Sequence, residues 1–281
     1  MTKILITGAN GQLGSEIRKS SDLFPGLSFV FTDLNELDIT SPAAVEAMLA
    51  EEKPQWLINC AAYTAVDKAE TEEETAWLIN AVAPAILAEK SKAAGCRFVQ
   101  ISTDYVFDGR NYRPYVEDDE VCPTSIYGST KLEGELISLT NNPETLVIRT
   151  SWLYSSFGNN FVKSMIKLGK ERDSLGVIYD QIGTPTYAGD LALAMLEIIR
   201  KIGSGECEFV PGTYHYSNEG VCSWYDFALA IHAIYGISCS VNAIESKDYP
   251  SPVARPPYSV LNKSKIKSIF GIQIPYWRTS L

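Results

Sequence analysis

The sequence predicts an α/β fold: a doubly wound parallel sheet, with a smaller domain interleaved into the C-terminal half. Three observations predict it. Short, continuous apolar runs alternate with helical segments as far as Ser151, the pattern of a parallel sheet covered on both faces. A glycine-rich turn joins the first apolar run to the first helix. Beyond Ser151 the alternation loosens and prolines collect toward the C-terminus.

The elements follow in order. KILIT (3–7) is the first strand and runs into the glycine turn; SFVFT (28–32) is the second. Ser41 offers a side-chain oxygen to free backbone N–H groups and Pro42 suits the first helical position, so a helix runs to about Glu52. WLINC (56–60) is the third strand. The stretch 70–95 reads as helix, with glutamates at its positive end, Gly95 at its close, and Pro84 as a kink or joint. RFVQIS (97–102), a helix carrying Tyr127, and TLVIRTS (145–151) complete the first half. Further on, helices are expected over 159–171, 188–202 and 223–235, with a strand at GVIYD (176–180). The tail, with Pro250, Pro252, Pro256 and Pro257, reads as irregular, and YWRTSL stands where another helix can begin.

Composition narrows the function. A length of 281 residues supports a sizeable core, and no apolar run is long enough to span a bilayer. The N-terminus enters a strand at once, without the segments of a secretion signal, so a cytoplasmic protein is expected. The six cysteines lack C-x-x-C spacing and read as reduced thiols, mostly buried. Two histidines, His215 and His232, are too few for a histidine metal site, and no metal is assigned. A net charge of −10 argues against nucleic acid as a partner.

TGANGQLG places Gly8, Gly11 and Gly14 as G-x-x-G-x-x-G, directly after a strand and opening a helix. Glycines there let the backbone turn tightly and approach a pyrophosphate seated on the helix N-terminus, which points to a Rossmann-type dinucleotide site. Asp33 ends the second strand, where a carboxylate can accept hydrogen bonds from the adenosine ribose and would repel a 2′-phosphate. The lean is toward NADH, with NADPH left open by Arg18 and Lys19 on the first helix. The plainer reading of Asp33 is a turn residue in TDLN. The dinucleotide-binding domain is expected over 1–150 with a return segment at about 184–203, and the substrate-binding part over 151–183 and 204–281.

IYGSTKLEGE puts Tyr127 and Lys131 four residues apart, on one helical face. A free phenol, with a pKa near ~10, is a poor acid at neutral pH, and a nearby cation lowers that value. Tyr127 can then give a proton to a carbonyl oxygen as hydride reaches the carbon, while Lys131 holds the nicotinamide ribose. Thr103, in STDYVF, supplies a hydroxyl to the same oxygen.

With GANGQLG, LDIT, NCAAYTAVDKAE, STDYVFDG, YGSTKLEGE, RTSWLY, GNNFVKSM, DQIGTPT and RPPYSVLNKSK, the chain resembles the extended short-chain dehydrogenase/reductase superfamily and, within it, the dTDP-4-dehydrorhamnose reductase family. The resemblance implies NADH- or NADPH-dependent reduction of the 4-keto group of a nucleotide-linked sugar, the last step of dTDP-L-rhamnose synthesis for polysaccharides. It implies Tyr127 as proton donor, Lys131 as its partner, Thr103 assisting, and Asp104 and Trp152 against the sugar. Gly11, Gln12 and Leu13 would cradle the pyrophosphate, Asp33, Asp38 and Ile39 border the adenosine, and Ala62, Tyr63 and Thr64 line the cofactor. Some relatives bind Mg²⁺, for which Glu16 and Asp190 are the positions to watch; the plainer reading is solvated surface acids. Two rival functions stay open: a reductase or epimerase of another nucleotide 4-keto-6-deoxy sugar, and a non-catalytic NADP-binding regulatory subunit. A homodimer also stays open.

Arg255 is a second candidate for a substrate diphosphate, since a guanidinium makes bidentate phosphate contacts. Lys163, Lys167 and Lys170 share a helical face, either solvated or attracting that diphosphate. The aromatics of SWYDFALAIHAIYG, and His232 among them, read as core.

Overall fold

A computed structural model describes residues 1–249 and 251–281; Pro250 lies outside them. The first half builds β1 (Thr2–Thr7), α1 (Gln12–Ser20), β2 (Leu27–Phe31), α2 (Pro42–Glu52), β3 (Trp56–Asn59), α3 (Val66–Ala69), α4 (Glu73–Trp77), α5 (Ala83–Ala93), β4 (Arg97–Thr103), α6 (Ile126–Asn141) and β5 (Thr145–Thr150). The second half builds β6 (Leu153–Tyr154), α7 (Phe161–Glu171), β7 (Ser174–Ile178), β8 (Ile182–Gly183), β9 (Thr186–Tyr187), α8 (Ala188–Ser204), β10 (Gly212–His215), β11 (Cys222–Ser223), α9 (Trp224–Tyr235), β12 (Ser240–Ile244), α10 (Ser264–Phe270) and α11 (Trp277–Ser280).

The main sheet has the order β10-β5-β4-β3-β1-β2, and every pairing in it is parallel. Alternation along β1 divides its side chains between two faces. Ile4 and Ile6 join Ile17, Leu191, Met195 and Ile198 under α1 and α8, whereas Leu5 joins Val45, Leu49, Leu57 and Leu87 under α2 and α5. Strand order turns back between β1 and β3, so the loops after these two strands flank a crevice at the carboxyl end of the sheet, where such folds bind ligands. A second core unites α7, α9 and the parallel pair β7–β12 through Met165, Leu175, Val177, Phe227 and Ile231.

Local sequence explains the helix starts. Ser41 Oγ accepts from the Ala44 N–H at 3.3 Å, and Ser125 Oγ accepts from the Gly128 N–H at 3.1 Å. Ser223 and Asp226 form a full capping box on α9. After α5, Gly95 adopts φ +65°, its N–H donates to Lys92 O, and the Cys96 N–H donates to Ser91 O. That is a glycine-terminated helix end.

Four sequence expectations change. The helix expected over 70–95 is interrupted: Leu78–Val82 forms a π-helical turn just before Pro84, which lacks the N–H a regular turn needs. The strand expected at 176–180 begins earlier, at Ser174. A strand, β12, lies in the 240–244 stretch that read as irregular. The stretch 204–281 is not one unit: β10 extends the main sheet, and Ile266 and Phe270 of α10 pack into the main core. Four residues with a tyrosine and a histidine carry too little periodicity to announce a strand.

The π-helical turn meets α6 closely. A Cβ on Gly134 would stand 2.1 Å from Asn80 O. Gly134→Ala gains up to ~1 kcal/mol of helix propensity, but overpacking against a backbone carbonyl costs about 1–3 kcal/mol. The expected net result is a lower denaturation midpoint in urea. An unchanged or raised midpoint would show that α6 can move away.

Candidate active site

The glycine turn is built for close approach. Gly8 has φ +64°, and a Cβ there would meet Ala61 N at 2.5 Å; one on Gly14 would meet Ala9 Cα at 2.5 Å. Gly11, the residue before α1, leaves that helix without a side-chain cap, so its first N–H groups face outward. Leu13 is 4% exposed, which leaves its backbone and not its side chain for a ligand. A crevice of about 320 Å³ follows, lined by Gly8, Gly11, Asp33, Ile39, Ala62 and Ile79 among others. This cradle fits the pyrophosphate and adenosine of a dinucleotide.

Asp33 does two jobs at once. Its Oδ2 accepts from the Asn10 N–H (2.8 Å) and its Oδ1 from the Leu34 N–H (2.8 Å), so the carboxylate also pins the glycine loop to the strand end. Asp38 binds the Thr40 N–H and hydroxyl, which hold its carboxyl below the usual range. Arg18 lies over the Phe31 ring at 4.2 Å, on the strand that leads to Asp33. Asp33→Ala should raise the NADPH-to-NADH ratio of kcat/KM, because a like-charge contact at ~4 Å is worth about 1 kcal/mol even when fully screened by water, roughly fivefold. A ratio that stays put or falls would show Asp33 to be a turn residue only.

The loop after β3 is clamped by Asn80. Its Oδ1 accepts from the Tyr63 N–H (2.9 Å), and its Nδ2 donates to Tyr63 O (3.0 Å) and Thr130 Oγ1 (3.2 Å). The π-helical turn therefore ties 61–64 to the helix carrying Tyr127. Thr64 is exposed at the rim.

Tyr127 and Lys131 are both buried on α6. Burial drives the phenol above its usual range, a hydrogen bond with Thr103 opposes this, and Asp104 adds to the rise. Lys131 Nζ donates to Ile101 O at 2.6 Å. Burial brings Lys131 down to about 8, with Glu135 and Cys60 pulling the other way. The expectation that Lys131 lowers the Tyr127 pKa is corrected here: the ammonium is committed to a carbonyl and is not among the groups shifting the phenol, so desolvation dominates. The result is a protonated phenol, a proton donor rather than a base.

The surrounding groups converge on that phenol. Thr103 Oγ1 donates to Asp104 Oδ1 at 3.1 Å, and Asp104 is 3% exposed. Tyr105 packs edge-on against Tyr127 with ring centroids 5.4 Å apart. Ser259, from the tail, neighbours Asp104, and a Cβ on Gly183 would meet both Ser259 Oγ (2.7 Å) and Trp152 (2.6 Å). Trp152 thus reaches the same neighbourhood. It holds φ +48°, a costly value for a tryptophan, and stacks on Trp224 at 3.5 Å.

Arg255 has partners within the chain. It donates to both oxygens of Asp67 (3.0 and 2.9 Å) and to Tyr105 Oη (3.2 Å), bridging the tail to α3 beside the site. It also lines a cavity of about 570 Å³ with Phe161, Arg172, Trp224 and Tyr249. Trp224 therefore lies between core and cavity. The lysines of α7 point outward, Lys163 Nζ donating to Gly158 O, and His232 is buried between Cys239 O and Met165 O.

Glu16 and Asp190 are not solvated surface acids. Glu16 is 1% exposed and accepts from Ser155 Oγ (2.7 Å) and Tyr187 Oη (3.3 Å). Asp190 accepts from Asn218 Nδ2 (2.6 Å) and Ser280 Oγ (2.5 Å). Gln12 Oε1 accepts from Asn160 Nδ2 (2.9 Å), so α1 is latched to the 155–160 loop at two points.

Asn80, Ser259 and the Glu135–Arg149 pair escaped sequence reasoning. Arg149 binds Glu135 in bidentate fashion behind α6, its closest contact 2.7 Å. The only sequence trace of Asn80 was Pro84, four residues on.

The whole chain, residues 1–281, matches the RmlD substrate binding domain family. It is 42% identical to a dTDP-4-dehydrorhamnose reductase of Aggregatibacter actinomycetemcomitans, over 100% of this chain and 97% of that protein. A solved structure of a dTDP-4-dehydrorhamnose reductase from Clostridium acetobutylicum is 46% identical, with a TM-score of 0.92, covering 99% of this chain and 96% of that one. One from Bacillus anthracis, in complex with NADP, is 38% identical, with a TM-score of 0.93, covering 100% and 97%.

Proposed function

The chain belongs to the RmlD substrate binding domain family, and we propose that it reduces the 4-keto group of dTDP-4-dehydro-L-rhamnose to dTDP-L-rhamnose with NAD(P)H. It is an oxidoreductase with a Rossmann-type sheet. The observation that carries the substrate reading is the convergence of Tyr127, Thr103, Asp104 and Trp152 beside a dinucleotide cradle, in a chain alike from end to end to reductases of this sugar.

Bound NAD(P)H supplies a hydride. The Gly8–Gly14 turn would hold the pyrophosphate, and Asp33, Asp38 and Ile39 would border the adenosine. Asp33 favours NADH, while Arg18 nearby and the NADP held by the Bacillus anthracis relative support use of both cofactors. Tyr127, protonated because it is buried, donates its hydrogen to the ketone oxygen as negative charge develops there. Thr103 steadies the same oxygen, and Trp152 covers the sugar. Lys131 would hold the nicotinamide ribose and keep a positive charge near the reacting centre.

The cavity of about 570 Å³ between α7, β7 and α9 takes the nucleotide end. Trp224 and Phe161 offer flat apolar surface to a base, and Arg172 and Arg255 offer charge to the diphosphate. A locally positive cavity is what an acidic protein needs for an anionic substrate. Free thiols at all six cysteines support a reducing compartment, the cytoplasm. Among the described residues no helix is long and apolar enough to cross a membrane.

The test is NADH and NADPH oxidation against a panel of nucleotide 4-keto-6-deoxy sugars. The expected result is highest kcat/KM with dTDP-4-dehydro-L-rhamnose. Preference for a different sugar would move the substrate assignment. Tight cofactor binding without turnover of any sugar would favour a regulatory subunit.

A further inference from the structure

We propose that Asn160 is a positioning residue: by tying Gln12 of the glycine turn to the start of α7, it holds the cofactor cradle and the substrate cavity in one register. This rests on the reading that the Gly8–Gly14 turn seats the cofactor pyrophosphate and that the cavity between α7, β7 and α9 takes the nucleotide end.

One amide serves both parts of the molecule. Asn160 Oδ1 accepts from the Lys163 N–H at 3.1 Å and so caps α7. Its Nδ2 donates to Ser155 O at 2.7 Å and to Gln12 Oε1 at 2.9 Å, with Phe157 O farther off at 3.4 Å. The two shorter bonds use both hydrogens of the amide. Acceptors around its nitrogen and an N–H at its oxygen fix which way the group points. Gln12 opens α1, while Phe161, the residue after Asn160, lines the cavity of about 570 Å³. A single side chain therefore joins the two binding regions, 148 residues apart in sequence.

The joint depends on polar bonds. α1 is anchored in the main core by Leu13 and Ile17, and α7 in the second core by Val162 and Met165. Between them Ser156, Phe157, Gly158 and Asn159 are exposed, so apolar packing does not fix the loop. Ser155 Oγ accepts from the Phe157 N–H at 2.9 Å and donates to Glu16 Oε1 at 2.7 Å, one turn along α1 from Gln12. Gly158 has φ +61°, and a Cβ there would stand 3.0 Å from Gln12 Cγ, so the loop closes directly onto the Gln12 stem.

Hydride transfer needs the nicotinamide and the sugar carbon within reacting distance, and a misplacement of ~1 Å can cost ~10²-fold. Each half of the site keeps its own binding groups when the tie is cut. The signature of a positioning role is accordingly a loss in kcat with affinities preserved.

Asn160→Ser keeps a capping oxygen for α7 but is too short to reach Gln12. Its kcat is expected to fall at least ~10-fold, while the dissociation constants of NADH and of dTDP, each measured alone, and the urea midpoint stay near those of the parent. Gln12→Met keeps the stem against Gly158 and removes the acceptor. It should reproduce the fall, and the double variant should be no slower than the slower single, as for two residues acting through one contact. Gln12→Met should also speed amide hydrogen exchange over residues 155–163, a readout independent of turnover. A lowered urea midpoint with kcat unchanged would make Asn160 a helix cap only. Weakened dTDP binding with Gln12→Met silent would make it a substrate contact, and losses that multiply in the double variant would make the two residues independent. Each of these results overturns the proposal. A parent protein that reduces no 4-keto sugar removes the reading beneath and the positioning role with it; an active parent matched by its variants removes the positioning role alone.

Discussion

Replacing Tyr127 with Phe is expected to reduce kcat by ~10²–10⁴-fold, the usual loss for a positioned general acid, while NAD(P)H affinity and the unfolding midpoint stay within error. The ring is 9% exposed and packs edge-on against Tyr105, and Phe keeps that packing. Only the proton, and the pull of the Thr103 hydroxyl on the phenol, are removed. Steady-state kinetics together with the dissociation constant of NADH separate these effects. Turnover near that of the parent would mean the proton comes from elsewhere, and a collapse in cofactor affinity would mean Tyr127 is structural.

Lys131→Met is expected to weaken NAD(P)H binding and to lower kcat by ~10²-fold or more, through loss of a charge held in a desolvated site. The parent enzyme should lose activity as pH rises through about 8, where burial places the Lys131 proton, and the Met variant should lack that limb. Stability moves the other way. A lysine whose folded pKa lies below its free value of 10.5 costs folding energy that is full below about 8 and relieved as pH approaches that free value. Met removes that cost, so the variant should unfold at an equal or higher urea concentration at neutral pH. A variant that is both less stable and unaltered in its pH profile would contradict a role for the Lys131 charge.

Much of this site was legible in the chain because its signals are local. The glycine turn, the Ser41 cap and the spacing of Tyr127 from Lys131 each lie within a few residues, and the structure places them at the ends of the expected elements. What escaped depends on distant packing. Asn80 acquires its clamp only because a π-helical turn brings it to Tyr63 and Thr130, 17 and 50 residues away. Ser259 joins Asp104 from the far end of the chain. β10 is a strand because the edge of β5 is there to receive it. The direction of the Tyr127 pKa was misread for the same reason. Side-by-side placement with a lysine is visible in sequence, but full burial of both groups is not, and burial outweighs the cation once Lys131 is tied to Ile101 O.

The most direct test of the proposed activity follows the hydride itself. The protein is given NADPH carrying deuterium at the transferable position of the nicotinamide, with dTDP-4-dehydro-L-rhamnose, and the sugar product is examined by mass spectrometry and NMR. The expected product is dTDP-L-rhamnose with deuterium bound at C4 of the sugar, formed by the parent protein and all but lost with Tyr127→Phe. Bound cofactor with no deuterium reaching the sugar would contradict it.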